Sequence, residues 1–367
     1  MKMPGEIIRA EIQKNGGITF ARFMELALYA PETGYYERNS NAIGRAGDFI
    51  TSVSTGRLFG ELLAFQLAGW LTALPPAAGR CRLVEAGAHD GKLAADILRW
   101  LQSRRPQLFA RLEYGILEPS PDRQAWQRAT LESFAPHVRW FTDFENLKTQ
   151  THPAKFHGII FSNELLDAFP VRRLGWDAGA RRWFEWGVAL AGDEFIWTRR
   201  AEPVDDLLPA PARQPELQAV LPDGYTIETS PAAETWWRAA AGILECGKLL
   251  TIDYGLTVAE QFSPARTRGT LRAYGRQQVA EDVLARPGEQ DLTAHVNFSI
   301  LQKTGEAAGL KTDIFCPQPQ FLTRIAEKTF SPAAGFGEWD ATRTRQFQTL
   351  THPEHMGRAF RVLVQSR

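Results

Sequence analysis

The sequence predicts an α/β fold: a mostly parallel sheet covered by helices, preceded by a helical cap and interrupted by an antiparallel insertion. Short apolar runs alternate with helical patterns from 81 to 164, the mark of βαβ units in a sheet buried on both faces. Past Pro170 the texture changes to aromatic and β-branched runs separated by DAGA and AGDE, the composition of an antiparallel meander. GKLLTIDYG at 247–255 then restores the α/β pattern.

Taken in order, Ile7, Ile8 and Ile12, then Phe20, Phe23, Met24, Leu26 and Leu28, recur at helical spacing around Asn15-Gly16-Gly17. That pattern predicts two helices joined by a turn. A further helix is expected from near Thr55. CRLVEA (81–86), LEYGILE (112–118), VRWFTD (138–143) and GIIFSNE (158–164) read as strands, with helices over 92–105 and 121–134 between them. VRRLGW, RRWFEWGVAL, EFIWTRR and YTIET supply the meander, and AAETWWRAAAGIL is a helix leading back to the sheet. Residues 256–294 carry Gly and Pro with little periodicity, a long connection of the kind that is usually functional. A helix over 297–310, a strand at 311–316 and a last strand at 360–365 complete the pattern. The expected organisation is a cap at 1–75, the sheet in two parts at 76–170 and 246–367, and the insertion at 171–245.

Lys and Arg together number 42, as do Asp and Glu, so no net field draws the chain to nucleic acid or an anionic membrane. Arg104, Arg172, Arg181 and Arg199 alternate with apolar residues instead of forming a stripe, and are read as solvated strand and helix ends. Cys81, Cys246 and Cys316 are an odd number, far apart, which indicates neither a disulfide framework nor a thiolate metal site. His352-Pro-Glu-His355 lacks a third ligand at recognised spacing, so no metal is expected. MKMPGEIIRAEIQKNGG has no continuous apolar segment, and a soluble cytoplasmic protein is predicted.

The chemistry centres on LVEAGAHDGKLAADIL (83–98). A strand ending at Glu85, a turn carrying Gly87 and Gly91, and a helix from Lys92 make a glycine loop at the carboxyl edge of the sheet, where ligands bind. A pyrophosphate-binding G-x-G-x-x-G is absent, because position 89 is His and the second glycine falls four after the first. S-adenosylmethionine is the other common occupant of this geometry. Its ribose hydroxyls want a carboxylate at the end of the next strand, where Glu118 stands, and Asp143 after the third strand can meet the adenine amino group.

GDFITS (47–52), LFGELLAFQLAGW (58–70), SNELLDAFPV (162–171), TIDYG (251–255), GTLRAYGRQ (269–277) and DLTAHVNF (291–298) together resemble the MidA-type proteins, relatives of mitochondrial complex I assembly factor seven. The resemblance implies a class I S-adenosylmethionine-dependent methyltransferase, with a Rossmann-like, mostly parallel seven-stranded sheet. The mitochondrial member is a protein arginine methyltransferase acting on a complex I subunit. Two positions depart from the family: His89 stands where a third glycine is usual, and Val53-Ser54-Thr55 replaces Pro-Glu after GDFITS.

On this reading Phe49, Thr51, Ser52, Glu85, Gly87, Gly91, Glu118, Asp143 and Asn163 belong to the cofactor, and Glu164, Asp167 and His295 to catalysis. A guanidinium acceptor is charged at physiological pH and must be held by carboxylates, which Glu164 and Asp167 supply just after the fourth strand. The structural alternative is that Asn163 caps a helix whose first turn holds both acids. His295 is either a proton acceptor or an anchor for the 256–294 connection, and Asp253-Tyr254-Gly255 shapes the acceptor channel. The expected activity is methyl transfer from S-adenosyl-L-methionine to a protein side chain, arginine first. A small-molecule methyltransferase and a non-catalytic assembly protein of the same fold are the alternatives. The expected partner is a protein substrate, without nucleic acid or membrane.

Overall fold

The four apolar runs between 81 and 164 become parallel strands: β1 (Cys81–Ala86), β2 (Leu112–Leu117), β3 (Val138–Phe141) and β4 (Phe156–Asn163). They are seen in a computed structural model that describes residues 2–38, 51–75, 81–150, 156–275, 278–353, 356 and 359–367. β5 (Leu244–Leu256) pairs parallel with β4, while β6 (Lys311–Pro317) and β7 (Phe360–Ser366) close that edge antiparallel. The order is β3-β2-β1-β4-β5-β7-β6, with the short pair Val296–Asn297 added alongside β5. The expected seven-stranded, mostly parallel sheet is therefore present, with an eighth short strand.

Side chains alternate across each strand, and the sequence uses both faces. Leu83, Ile159, Phe161, Leu250 and Val362 pack under the helices Leu58–Ala73, Lys92–Arg104, Gln318–Thr329 and Ala341–Thr351. Their neighbours Val84, Ile160, Leu249 and Leu363 pack under Pro231–Ile243 and Phe298–Ala307. Trp237 lies on this second face, fully buried, and its Nε1 donates to Gln365 Oε1 at 2.8 Å. Trp237→Ala would open a cavity and strip that acceptor of its donor. It should cost about 3–5 kcal/mol in a urea titration, and a loss under ~1 kcal/mol would show the site collapsing around the deletion.

Arg172–Asp177, Arg182–Ala191, Glu194–Arg200 and Thr226–Thr229 form the expected antiparallel insertion, and Ile18–Thr19 from the cap adds an edge strand to it. The cap helices Pro4–Asn15 and Phe20–Tyr29 share one apolar cluster with the insertion and the 271–294 segment, through Ile8, Phe20, Phe23, Val188, Leu271 and Leu292. Among the described residues no helix is long and apolar enough to cross a membrane.

The structure differs from the sequence reading in several places. The helix expected near Thr55 starts at Leu58, after a 3-10 turn over Val53–Thr55 in which Ser54 Oγ donates to the Thr51 carbonyl at 2.8 Å. The 121–134 helix ends at Thr130 and continues as a 3-10 segment, Glu132–His137. The 256–294 connection contains a small antiparallel sheet of Arg272–Gly275, Gln278–Val279 and Asp291–Thr293, too short to show as periodicity. Arg172 is not a solvated strand end, because it forms a bidentate pair with the fully buried Glu185.

Candidate active site

At the carboxyl edge of β1 the chain turns through Gly87, at φ +75°, where an added Cβ would stand 2.7 Å from Leu165 Cδ1. Gly91, at φ +82°, is the N-cap of Lys92–Arg104. His89 also takes a left-handed conformation, φ +47°, at a steric cost that a glycine would not have. Its ring lies near Trp126, with centroids 6.4 Å apart, and its carbonyl accepts from Gln127 Nε2 at 3.0 Å.

A cavity of about 950 Å³ opens over this turn, bordered by Gly87, His89, Glu118, Asp143, Thr51, Glu164 and Asp167. Glu118 is buried and held from both sides: Oε1 accepts from the Ser120 N–H at 3.0 Å and Arg123 Nε at 2.9 Å, and Oε2 from Gln127 Nε2 at 3.2 Å. A carboxylate offers about four acceptor sites, so Oε2 keeps a lone pair for a ribose hydroxyl. A main chain bared by Gly87, a fixed carboxylate on the next strand and open volume between them fit S-adenosylmethionine.

Glu164 sits at φ +50° immediately after β4, a left-handed conformation that has a conformational cost for a residue with a side chain. Its Oε1 accepts from the Ser52 N–H at 3.0 Å and from Asn163 Nδ2 at 3.1 Å, while Oε2 is buried without a protein partner. Burial raises its pKa to about 8 against those two hydrogen bonds. Asp253, fully buried in TIDYG, holds the bend: Oδ2 accepts from the N–H groups of Leu165 at 3.1 Å and Leu166 at 2.8 Å, and Oδ1 from Tyr254 N–H at 2.8 Å. Asp167 is pushed well above the carboxylate range by burial, and then by Asp253, Asp291 and Glu164. Glu164 and Asp167 thus border the cavity, with two further carboxyl groups, Asp253 and Asp291, close to them but outside its lining.

Six of the twelve residues singled out from sequence border the cavity: Thr51, Gly87, Glu118, Asp143, Glu164 and Asp167. Ser52 and Asn163 act one step back, on Glu164. Glu85 stands behind the turn, where its Oε2 accepts from Tyr114 O–H at 2.5 Å and burial lifts its pKa to about 7. Gly91 packs against Leu131 and Gln127 without reaching the cavity. His295 is not brought to it either. It borders a separate space of about 20 Å³ with Glu228 and Thr229, and burial followed by Arg266, Arg272 and Arg361 lowers its pKa to about 4. Its backbone N–H donates to Thr270 Oγ1 at 3.0 Å, tying 295 to the interior of the long connection. Phe49 lies outside the described residues. The predicted helix cap at Asn163 is absent, because the chain forms a single 3-10 turn, Leu166–Ala168, capped by no side chain.

Sequence reasoning missed the aromatic wall. Tyr29 and Tyr36 stack with centroids 5.6 Å apart and border the cavity, Tyr29 O–H donating to the Ala168 carbonyl at 3.0 Å and Tyr36 O–H to Asp291 Oδ1 at 2.7 Å. Trp236 borders it too. Arg123 and Gln127 were also missed, although Ser120-Pro121 announces the helix that carries them. Ser120 Oγ accepts from Arg123 N–H at 3.4 Å as its N-cap.

A model of the S-adenosyl-L-methionine-dependent methyltransferases matches residues 62–316. The chain belongs to this family. Among solved structures, this methyltransferase is similar to a methyltransferase candidate from Burkholderia thailandensis crystallised with S-adenosyl-homocysteine, at TM-score 0.82 and 32% identity over 99% of this chain and 92% of that one. The protein arginine methyltransferase NDUFAF7 homolog, mitochondrial, of Drosophila melanogaster is 28% identical over 97% of this chain and 83% of its own. The Rattus norvegicus protein arginine methyltransferase NDUFAF7, mitochondrial, is 26% identical over 95% and 81%. The cofactor of this methyltransferase is S-adenosyl-L-methionine, which when bound supplies a methyl group on a positively charged sulfur.

Proposed function

We propose that this methyltransferase methylates arginine side chains of a protein, with Gly87, Glu118 and Asp143 holding the cofactor and Glu164 and Asp167 the acceptor. The observation that carries it is the pair of buried carboxyl groups, Glu164 and Asp167, bordering the cavity with Asp253 and Asp291 close to them, and Glu164 Oε2 lacking a protein partner. Left alone, such groups stay protonated, because burial and mutual repulsion both oppose ionisation. A guanidinium removes that opposition, pairing in its plane with two carboxylates. The Drosophila and rat relatives, named as protein arginine methyltransferases, support the same acceptor.

Glu164 and Asp167 orient the guanidinium so that one nitrogen faces the methyl carbon in line with the bond to sulfur. The N–C bond forms as the S–C bond breaks, and the proton lost from nitrogen passes to Glu164. Because Glu164 titrates near 8 without acceptor, kcat/KM should climb with pH and level off above about 8. The acceptor is tested by incubating the enzyme with radiolabelled S-adenosyl-L-methionine and lysate proteins of its source, then hydrolysing the protein fraction. Labelled methylarginine is the expected product. Label confined to the low-mass fraction would refute the arginine reading and favour a small-molecule acceptor.

A further inference from the structure

The glycine turn after β1 and the acid after β2 come from different βα units, yet one cofactor must touch both. Their separation has to be fixed by a contact that runs from one unit to the other. Gln127 is placed to do this. It is fully buried on the helix Pro121–Thr130, and its Cα lies 3.5 Å from where a Cβ on Gly91 would stand. Nε2 donates to the His89 carbonyl at 3.0 Å and to Glu118 Oε2 at 3.2 Å, one bond to each βα unit. Oε1 accepts from Trp140 Nε1 at 3.0 Å.

Those three partners fix which way round the amide stands. Indole nitrogen can only donate, and a carbonyl and a carboxylate can only accept, so a flipped amide would lose all three bonds. A side chain that satisfies an orientation lock, a backbone carbonyl and a charged acid while fully buried is costly to misplace. We infer that Gln127 is a positioning residue for S-adenosylmethionine, clamping the His89 turn to Glu118 at the spacing the nucleoside and its methionine portion span, with Trp140 locking the clamp. It touches no reacting atom and acts through Glu118 and the turn.

The test is calorimetric titration with S-adenosyl-homocysteine, alongside steady-state rates. Gln127→Met keeps the volume and removes the amide. It should weaken binding roughly tenfold, the range for hydrogen bonds to a charged group, and raise the KM for cofactor with kcat at saturation within about twofold of wild type. In a Glu118→Gln background the same change should cost measurably less, since part of its effect runs through Glu118. Gln127→Glu puts a second carboxyl beside Glu118, so its affinity should recover as pH falls and that group protonates, a response that plain loss of packing does not give. Trp140→Phe, which frees the amide to flip, should weaken binding about threefold, and decides the matter if Gln127→Met fails to fold. Wild-type affinity in either uncharged variant, full additivity with Glu118→Gln, or a pH-independent Gln127→Glu would overturn the assignment.

Discussion

Glu164→Gln is expected to lower kcat/KM for methyl transfer by a hundredfold or more while leaving S-adenosyl-homocysteine affinity within about threefold of wild type, since it removes a charge developed toward the acceptor only. Glutamine keeps the shape and an acceptor for the Ser52 N–H. A stability effect of opposite sign accompanies it. The glutamate binds its proton more tightly folded, at about 8, than its ordinary 4.5, so its contribution is full below pH 4.5 and is lost as pH rises through 8. Ligand-free wild type should therefore melt lower at pH 8 than at pH 6, and Glu164→Gln should melt higher than wild type at pH 8 and change less between the two. Asp167 and Asp253, both raised by burial, add to the wild-type slope in the same direction. Loss of activity together with loss of stability at pH 8 would mean that Glu164 holds the fold and not the acceptor.

Gly87→Val should abolish detectable S-adenosyl-homocysteine binding, more than a hundredfold weaker, with the protein still folded. A branched side chain at φ +75° is strained by roughly 1–3 kcal/mol, and its Cβ starts 2.7 Å from Leu165 Cδ1 inside the cavity wall. Gly91→Val is the comparison, because φ +82° imposes similar strain where Leu131 is 3.4 Å away and the cavity is not reached. The expected outcome is comparable destabilisation by thermal melting, with binding lost at 87 and weakened no more than about tenfold at 91, where the added side chain meets Gln127 and not the cavity. Equal loss of binding in the two variants would attribute the effect to strain in the loop as a whole.

The residues found from sequence are those whose local chain context already states their job. Gly87 follows a strand and precedes a helix, Glu118 closes the next apolar run, and Glu164 follows the fourth. Each is marked by periodicity on one side and a turn on the other. Tyr29 and Tyr36 have no such context, because they read as ordinary helix and turn residues until the cap folds over the sheet edge. Asp291 and Trp236 are likewise silent, reaching the site from segments whose own patterns describe only packing. His295 shows the converse: a family motif gave it prominence, and packing set it in a separate space beyond Asp167.

By itself the sequence determined the layered sheet, its parallel core and the carboxyl edge at which a ligand must lie, because burial periodicity and glycine conformations are properties of a few neighbouring residues. Only tertiary structure decided how many carboxyl groups meet. Asp253 and Asp291 come to Glu164 and Asp167 from strands and loops about 90 to 125 positions away, and their charge states follow from shared burial that no single segment encodes.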